Sequence, residues 1–169
     1  MHPTVRRTWA PRGRTPVLRQ RTRHYQRVST IGALSLSPRR RRPNWYLAFH
    51  NDRSIRQEQV LAFLRQLLRH LRGPVIVVWD RLKAHRGRQV REYLARQPRL
   101  AVEFLPAYAP ELNPNEYGWA FLKNGPLANW GPERLDELRR RVEAAAGQAC
   151  RRPDLLRGFV RATKLSIRL

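Results

Sequence analysis

Two acidic residues in this 169-residue chain have a context in which carboxylates do chemistry. Asp80 closes the apolar run "PVIVVWD", and Glu116 lies 36 positions later in "LPAYAPELNPNEYGWAFLK". A carboxylate at a strand end and another at a helix start can meet across neighbouring elements. Such hard oxygen donors suit Mg²⁺ or Mn²⁺, which keep several waters when bound. A pair of these ions about 4 Å apart activates a water or 3′-hydroxyl and stabilises the leaving oxygen in phosphodiester chemistry. Each residue also has a plain structural alternative. With Asn113 as N-cap and Pro114 as first helical residue, Glu116 falls third, where it would complete a capping box. Asp80 alone could simply turn the chain out of its strand.

The elements that must position these groups are legible in the hydrophobic pattern. "RTWAPRGRTPVL" is punctuated by Pro11, Gly13 and Pro16 and reads as a strand broken by turns. Residues 25–37, rich in β-branched side chains, predict a strand, and "NWYLAFHN" (44–51) predicts its hairpin partner. The run Arg39 to Arg42, between Pro38 and Pro43, is the connecting loop. A helix follows, with Ser54 and Gln57 as its capping box, an apolar face of Val60, Leu64, Leu67, Leu68 and Leu71, and Gly73 as its stop. "PVIVVWD" (74–80) predicts a strand buried on both faces, and "LAVEFLP" (100–106) another strand. Helices are expected over 86–97, about 114–123, 132–149 and 153–162. The order points to a mixed α/β sheet with parallel central strands, whose functional groups gather at the strands' carboxyl ends. No internal repeat or clean domain boundary interrupts the chain. It reads as one domain in three parts: basic strands and hairpin (1–52), the core with both acidic blocks (53–123), and C-terminal helices (124–169).

Composition narrows the partner. Lys and Arg number 35 against 12 Asp and Glu, a formal charge of +23. Such an excess repels itself unless a polyanion neutralises it, and nucleic acid is the usual one. Twelve arginines and no acidic residue fall within residues 1–42. Hydrophobic content of 41% is enough for a core. The single Cys150 rules out an internal disulfide and fits a reducing cytoplasm. No apolar run is long enough to span a bilayer, and the basic N-terminus lacks a signal peptide's apolar stretch.

"VIVVWDRLKAHRG" followed by "VEFLPAYAPELNPNEYGWAFLK" resembles the second and third catalytic blocks of DDE transposases, in the mariner-like group of bacterial insertion-sequence transposases. "RRTWAPRGRTPVL" resembles the segment that follows that group's first catalytic block. The resemblance implies a ribonuclease-H-like fold in which Asp80 is the second and Glu116 the third catalytic carboxylate, both binding Mg²⁺ or Mn²⁺. It implies transposon-end and target DNA as partners, with Arg12, Arg14, His85, Arg86 and Lys123 as DNA-binding candidates. Asn113 and Pro114 would shape the approach to Glu116.

The same resemblance implies a first catalytic Asp in a strand ahead of the segment that opens this chain, and no acidic residue precedes Asp52. Asp52 follows the strand at 44–50, where the motif places no ligand. The chain is therefore expected to be the N-terminally truncated, C-terminal two-thirds or so of a catalytic domain, inactive or nearly so alone. The alternative is a non-catalytic basic DNA-binding remnant that pairs with full-length transposase, or with a second copy of itself, and inhibits it. A basic protein of ribonucleoprotein type fits less well, because such proteins seldom need paired carboxylates.

Overall fold

The computed structural model describes residues 4–17, 27–37, 42–163 and 165. Strands β1 (Val28–Leu36) and β2 (Pro43–Asn51) form the expected antiparallel hairpin, in register from Val28 opposite Asn51 to Leu36 opposite Pro43. Helix α1 (Gln57–His70) leads into β3 (Val75–Trp79). Helix α2 (Arg88–Ala95) then returns the chain to β4 (Leu100–Phe104). β3 and β4 pair in parallel, Val75 opposite Leu100 through Trp79 opposite Phe104. Three helices complete the chain: α3 (Pro114–Asn124), α4 (Leu135–Cys150) and α5 (Pro153–Arg161).

The mixed α/β content matches the sequence pattern, but the sheet comes in two pieces. Among the described residues β1 pairs only with β2, and β3 only with β4. Two cores follow from this division. Trp45, Leu122, Val142, Leu156 and Phe159 form one, where α3, α4 and α5 pack on the hairpin. Val60, Leu61 and Leu64 of α1 form the other with Trp79 and Val90, joined by Val77, Val102 and, from the hairpin, Ile31.

Three expectations need correction. The run "VIVVW" is covered on one face only: Val77 and Trp79 turn toward α1, while Ile76 and Val78 are 69% and 55% exposed. A continuous apolar run is therefore no proof of a second covering layer. Residues 4–17 form no strand. Thr4 makes an isolated bridge to Ala128, and the segment then turns at Pro11–Arg14 with Gly13 at φ 80°. Pro11 and Pro16 lack the N–H groups a ladder needs. It is held instead by Arg6, whose backbone N–H donates to Asn129 and whose guanidinium donates to Asn124. Finally, α1 is capped at Arg56, whose N–H is accepted by Gln59 Oε1 at 2.9 Å. The Ser54 hydroxyl is taken up by the Arg27 guanidinium. Of the arginine loop, residues 39–41 lie outside the described residues, and Arg42 is exposed.

The end of α1 reveals a device the pattern did not show. The helix ends at Leu71, which is extended (φ −94°, ψ 124°), and Gly73, with a left-handed φ of 77°, turns the chain two residues later instead of supplying the expected stop. The free carbonyls are met from across the fold by Arg99, which donates to Leu68, to Leu71 at 2.9 Å and to Gly73 at 3.3 Å. One guanidinium thus ties α1 to the start of β4. Arg99→Ala leaves these carbonyls without their charged donor and is expected to lower stability by about 1–3 kcal/mol, measured by urea unfolding.

Candidate active site

Parallel pairing decides where the acidic residues can lie. β3 and β4 run the same way, so the chain leaves both at one edge. The ladder extends one bond past the strands, with Leu105 N–H donating to the Trp79 carbonyl at 2.9 Å, and the Arg81 side chain then donates from Nε to the Leu105 carbonyl at 3.2 Å. Asp80 sits at this carboxyl edge, immediately after β3. The loop 105–113 leaves the same edge and ends at the first turn of α3, which carries Glu116.

Asp80 is held on one oxygen only. Its Oδ1 accepts the Leu82 N–H at 2.9 Å and lies 2.9 Å from His85 Nδ1. Oδ2 has no partner among the described residues. The hydrogen bond from His85 holds the carboxyl below the usual aspartate range; partial burial opposes this, and the Leu82 N–H and the His85 charge add to it. His85 is itself fixed, its ring stacked on Trp79 with centroids 4.4 Å apart and planes 3° from parallel. Because the folded pKa of Asp80 is depressed, its contribution to stability is present above the unfolded-state pKa and is lost as pH falls through the lower folded value. NMR titration of the metal-free protein is expected to give an Asp80 midpoint below that of an unstructured aspartate, moving up in His85→Phe.

Glu116 differs from the capping expectation in an informative way. Asn113 is indeed the N-cap, its side chain accepting the Asn115 N–H at 3.1 Å, and Pro114 opens the helix. The reciprocal half of the box is missing. Asn113 N–H donates to the Pro110 carbonyl at 3.0 Å, so Glu116 has no donor to receive there. The Glu116 carboxylate is exposed and unpartnered among the described residues. Helix α3 reaches its place through Trp45, whose Nε1 donates to Asn115 Oδ1 at 2.9 Å. The same ring lies against Gly118, where an added Cβ would stand 2.6 Å from Trp45 Cζ2. Trp45 is 5% exposed and has nowhere to move. Gly118→Ala is expected to cost about 1–3 kcal/mol through this clash, with a matching fall in thermal midpoint by circular dichroism.

The donor chemistry suits a hard divalent cation: among the described residues three carboxylate oxygens lack partners, one on Asp80 and two on Glu116. Among the described residues no group of three His, Cys, Asp or Glu side chains is assembled that could hold a metal ion. A cation held by two carboxylates takes its remaining ligands from water or phosphate oxygens. Asp52 stays apart from this chemistry. It bends the chain after β2 at φ 48°, with its N–H donated to the Arg27 carbonyl.

The DNA-contact candidates fall in separate places. His85 is bound up with Asp80, and Arg86 is exposed at the end of the short 3-10 turn Lys83–Arg86. Lys123 is exposed in the last turn of α3, about 10 Å along the helix from Glu116. Arg12 and Arg14 lie exposed around the 11–14 turn, in the segment anchored near the far end of α3 through Arg6. Two positioning contacts were not foreseen: the Trp79 stack on His85 and the Trp45 bond to Asn115. The adjacency of Trp79 to Asp80 is the one sequence signal that could have suggested the first.

The protein is mixed α/β, and its similarity to the solved structures named below gives it a ribonuclease-H-like fold. The family model for DDE superfamily endonucleases matches residues 1–139, and the chain belongs to that family. Solved structures with a similar fold include the Mos1 mariner paired-end complex with Mn, at 16% identity over 96% of this chain and 47% of that one, with a TM-score of 0.62. The Mos1 transposase paired-end complex with left transposon end gives 17% identity, 95% and 47% coverage, and the same TM-score. The Mos1 Strand Transfer Complex gives 15%, 99% and 52%, with a TM-score of 0.54. This chain therefore spans about half the length of the structures it matches. No curated protein sequence matches. Among the described residues no helix is long and apolar enough to cross a membrane.

Proposed function

We propose that this chain serves metal-dependent cleavage and transfer of DNA strands at transposon ends, with Asp80 and Glu116 sharing one divalent cation. The observation that carries this reading is the Glu116 carboxylate, which stands at a capping position yet leaves the cap to Asn113 and Pro110. Membership of the DDE superfamily endonucleases supports it, as do the Mos1 complexes with Mn and with transposon-end DNA. Mg²⁺ or Mn²⁺, when bound, would polarise a phosphodiester and lower the pKa of a water. The chain's own part is to hold two carboxylates at the strand-carboxyl edge and to draw DNA by charge, +23 in all. Arg12, Arg14, Arg86 and Lys123 are the side chains proposed to meet phosphate. A third carboxylate ligand from a partner such as full-length transposase would complete a two-ion site, and this chain alone is expected to nick DNA weakly or not at all. A reducing bacterial cytoplasm, at the nucleoid, is the proposed setting.

The charge by itself favours a second reading, a basic DNA-binding remnant that does no chemistry and inhibits full-length transposase or pairs with its own copy. Metal binding separates the two. Mn²⁺ binding followed by electron paramagnetic resonance is expected in the wild type, with affinity reduced at least about tenfold in Asp80→Asn and in Glu116→Gln. DNA binding that ignores both Mn²⁺ and these substitutions would leave only the second reading.

A further inference from the structure

We infer that His85 is a positioning residue for the metal-binding carboxylate, fixing Asp80 so that its second oxygen is presented outward. This rests on the metal site proposed above and goes beyond it by assigning His85 a task distinct from contact with DNA.

The hydrogen-bond chemistry determines how His85 acts. Its Nδ1 has two neighbours, the Asp80 carboxylate oxygen at 2.9 Å and the Asp80 backbone carbonyl at 3.2 Å. Both are acceptors, so Nδ1 must carry the hydrogen. One N–H therefore spans the side chain and main chain of the same aspartate, which closes off rotation about its side-chain bonds. The Leu82 N–H meets the same Oδ1 at 2.9 Å. Two donors converge on Oδ1, and Oδ2 is left for a ligand.

The ring is held in turn from behind. It lies flat on Trp79 at 4.4 Å and 3°, and the histidine side chain is only 14% exposed. Trp79 is 8% exposed and sits in the core formed by α1, β3 and α2. The 3-10 turn Lys83–Arg86 brings position 85 back over position 79, with His85 N–H donating to the Leu82 carbonyl at 2.9 Å. A chain of contacts thus runs from the buried core through an aromatic stack to one carboxylate oxygen. Groups that orient a ligand in this way are typically worth about 10- to 100-fold in metal affinity.

The stack and the hydrogen bond can be separated by substitution. His85→Phe keeps a flat ring over Trp79 and removes the donor; His85→Asn loses the ring but places an amide N–H near the Nδ1 position. We expect His85→Phe to weaken Mn²⁺ binding about 10- to 100-fold while the protein stays folded, its unfolding midpoint lowered only by the loss of the hydrogen bond to Asp80. His85→Asn is expected to recover much of that loss. In the wild type, ¹⁵N spectra of the metal-free protein are expected to show the Nδ1–H tautomer of His85. Wild-type affinity in His85→Phe, while Asp80→Asn and Glu116→Gln lose Mn²⁺, would overturn this inference and leave the metal site standing. An Nε2–H tautomer would overturn it without any metal present. Indifference of Mn²⁺ binding to Asp80→Asn and Glu116→Gln would instead remove the site on which it rests.

Discussion

The parallel register of β3 and β4 is the constraint on which the arrangement depends. Pairing Val75 with Leu100 and Trp79 with Phe104 sends both strands out at one edge. Antiparallel pairing would have put the segment after β4 at the opposite end from Asp80. Parallel strands need a crossover, and α2 supplies it while covering the same face as α1. Arg99, at the threshold of β4, secures the crossover to the end of α1.

The two acidic residues belong to different packing units. Asp80 is tied through His85 and Trp79 to the core beneath α1. Glu116 is tied through Asn115, Gly118 and Trp45 to the core between the hairpin and α3, α4 and α5. Each tryptophan is thus the structural root of one carboxylate. Ile31 of the hairpin packs with the α1 core, and Tyr46 of β2 stacks on His70 of α1 with ring centroids 5.8 Å apart, so the hairpin touches both units.

Much of this was legible in the sequence because local chemistry is strong in those places. The β-branched content of 28–36, the helical periodicity of 57–70 and the Asn113-Pro114 start of α3 each follow from side chains acting within a few residues. Asp80 after a strand and Glu116 at a helix start were placed by chain order, while their reading as a pair came from the resemblance of the two blocks around them. What escaped the sequence depends on contacts over long separations. Ser54 reads as a cap until Arg27 takes its hydroxyl. Ile76 and Val78 look buried in a run of apolar residues, and only the packing of α1 and α2 reveals which face is covered. Arg99 looks like any surface arginine before the end of α1 is placed beside it.

The crossover also says where this architecture can vary. The turn between α2 and β4 lies at the end of the strands away from Asp80, closed by the Leu100 N–H on the Gln97 carbonyl. Residues added or removed there would lengthen or shorten the stretch separating the two acids while the strand ends stayed in place. The number of residues between Asp80 and Glu116 is then in part a measure of a remote bend, while the ladder fixes where β3 and β4 end.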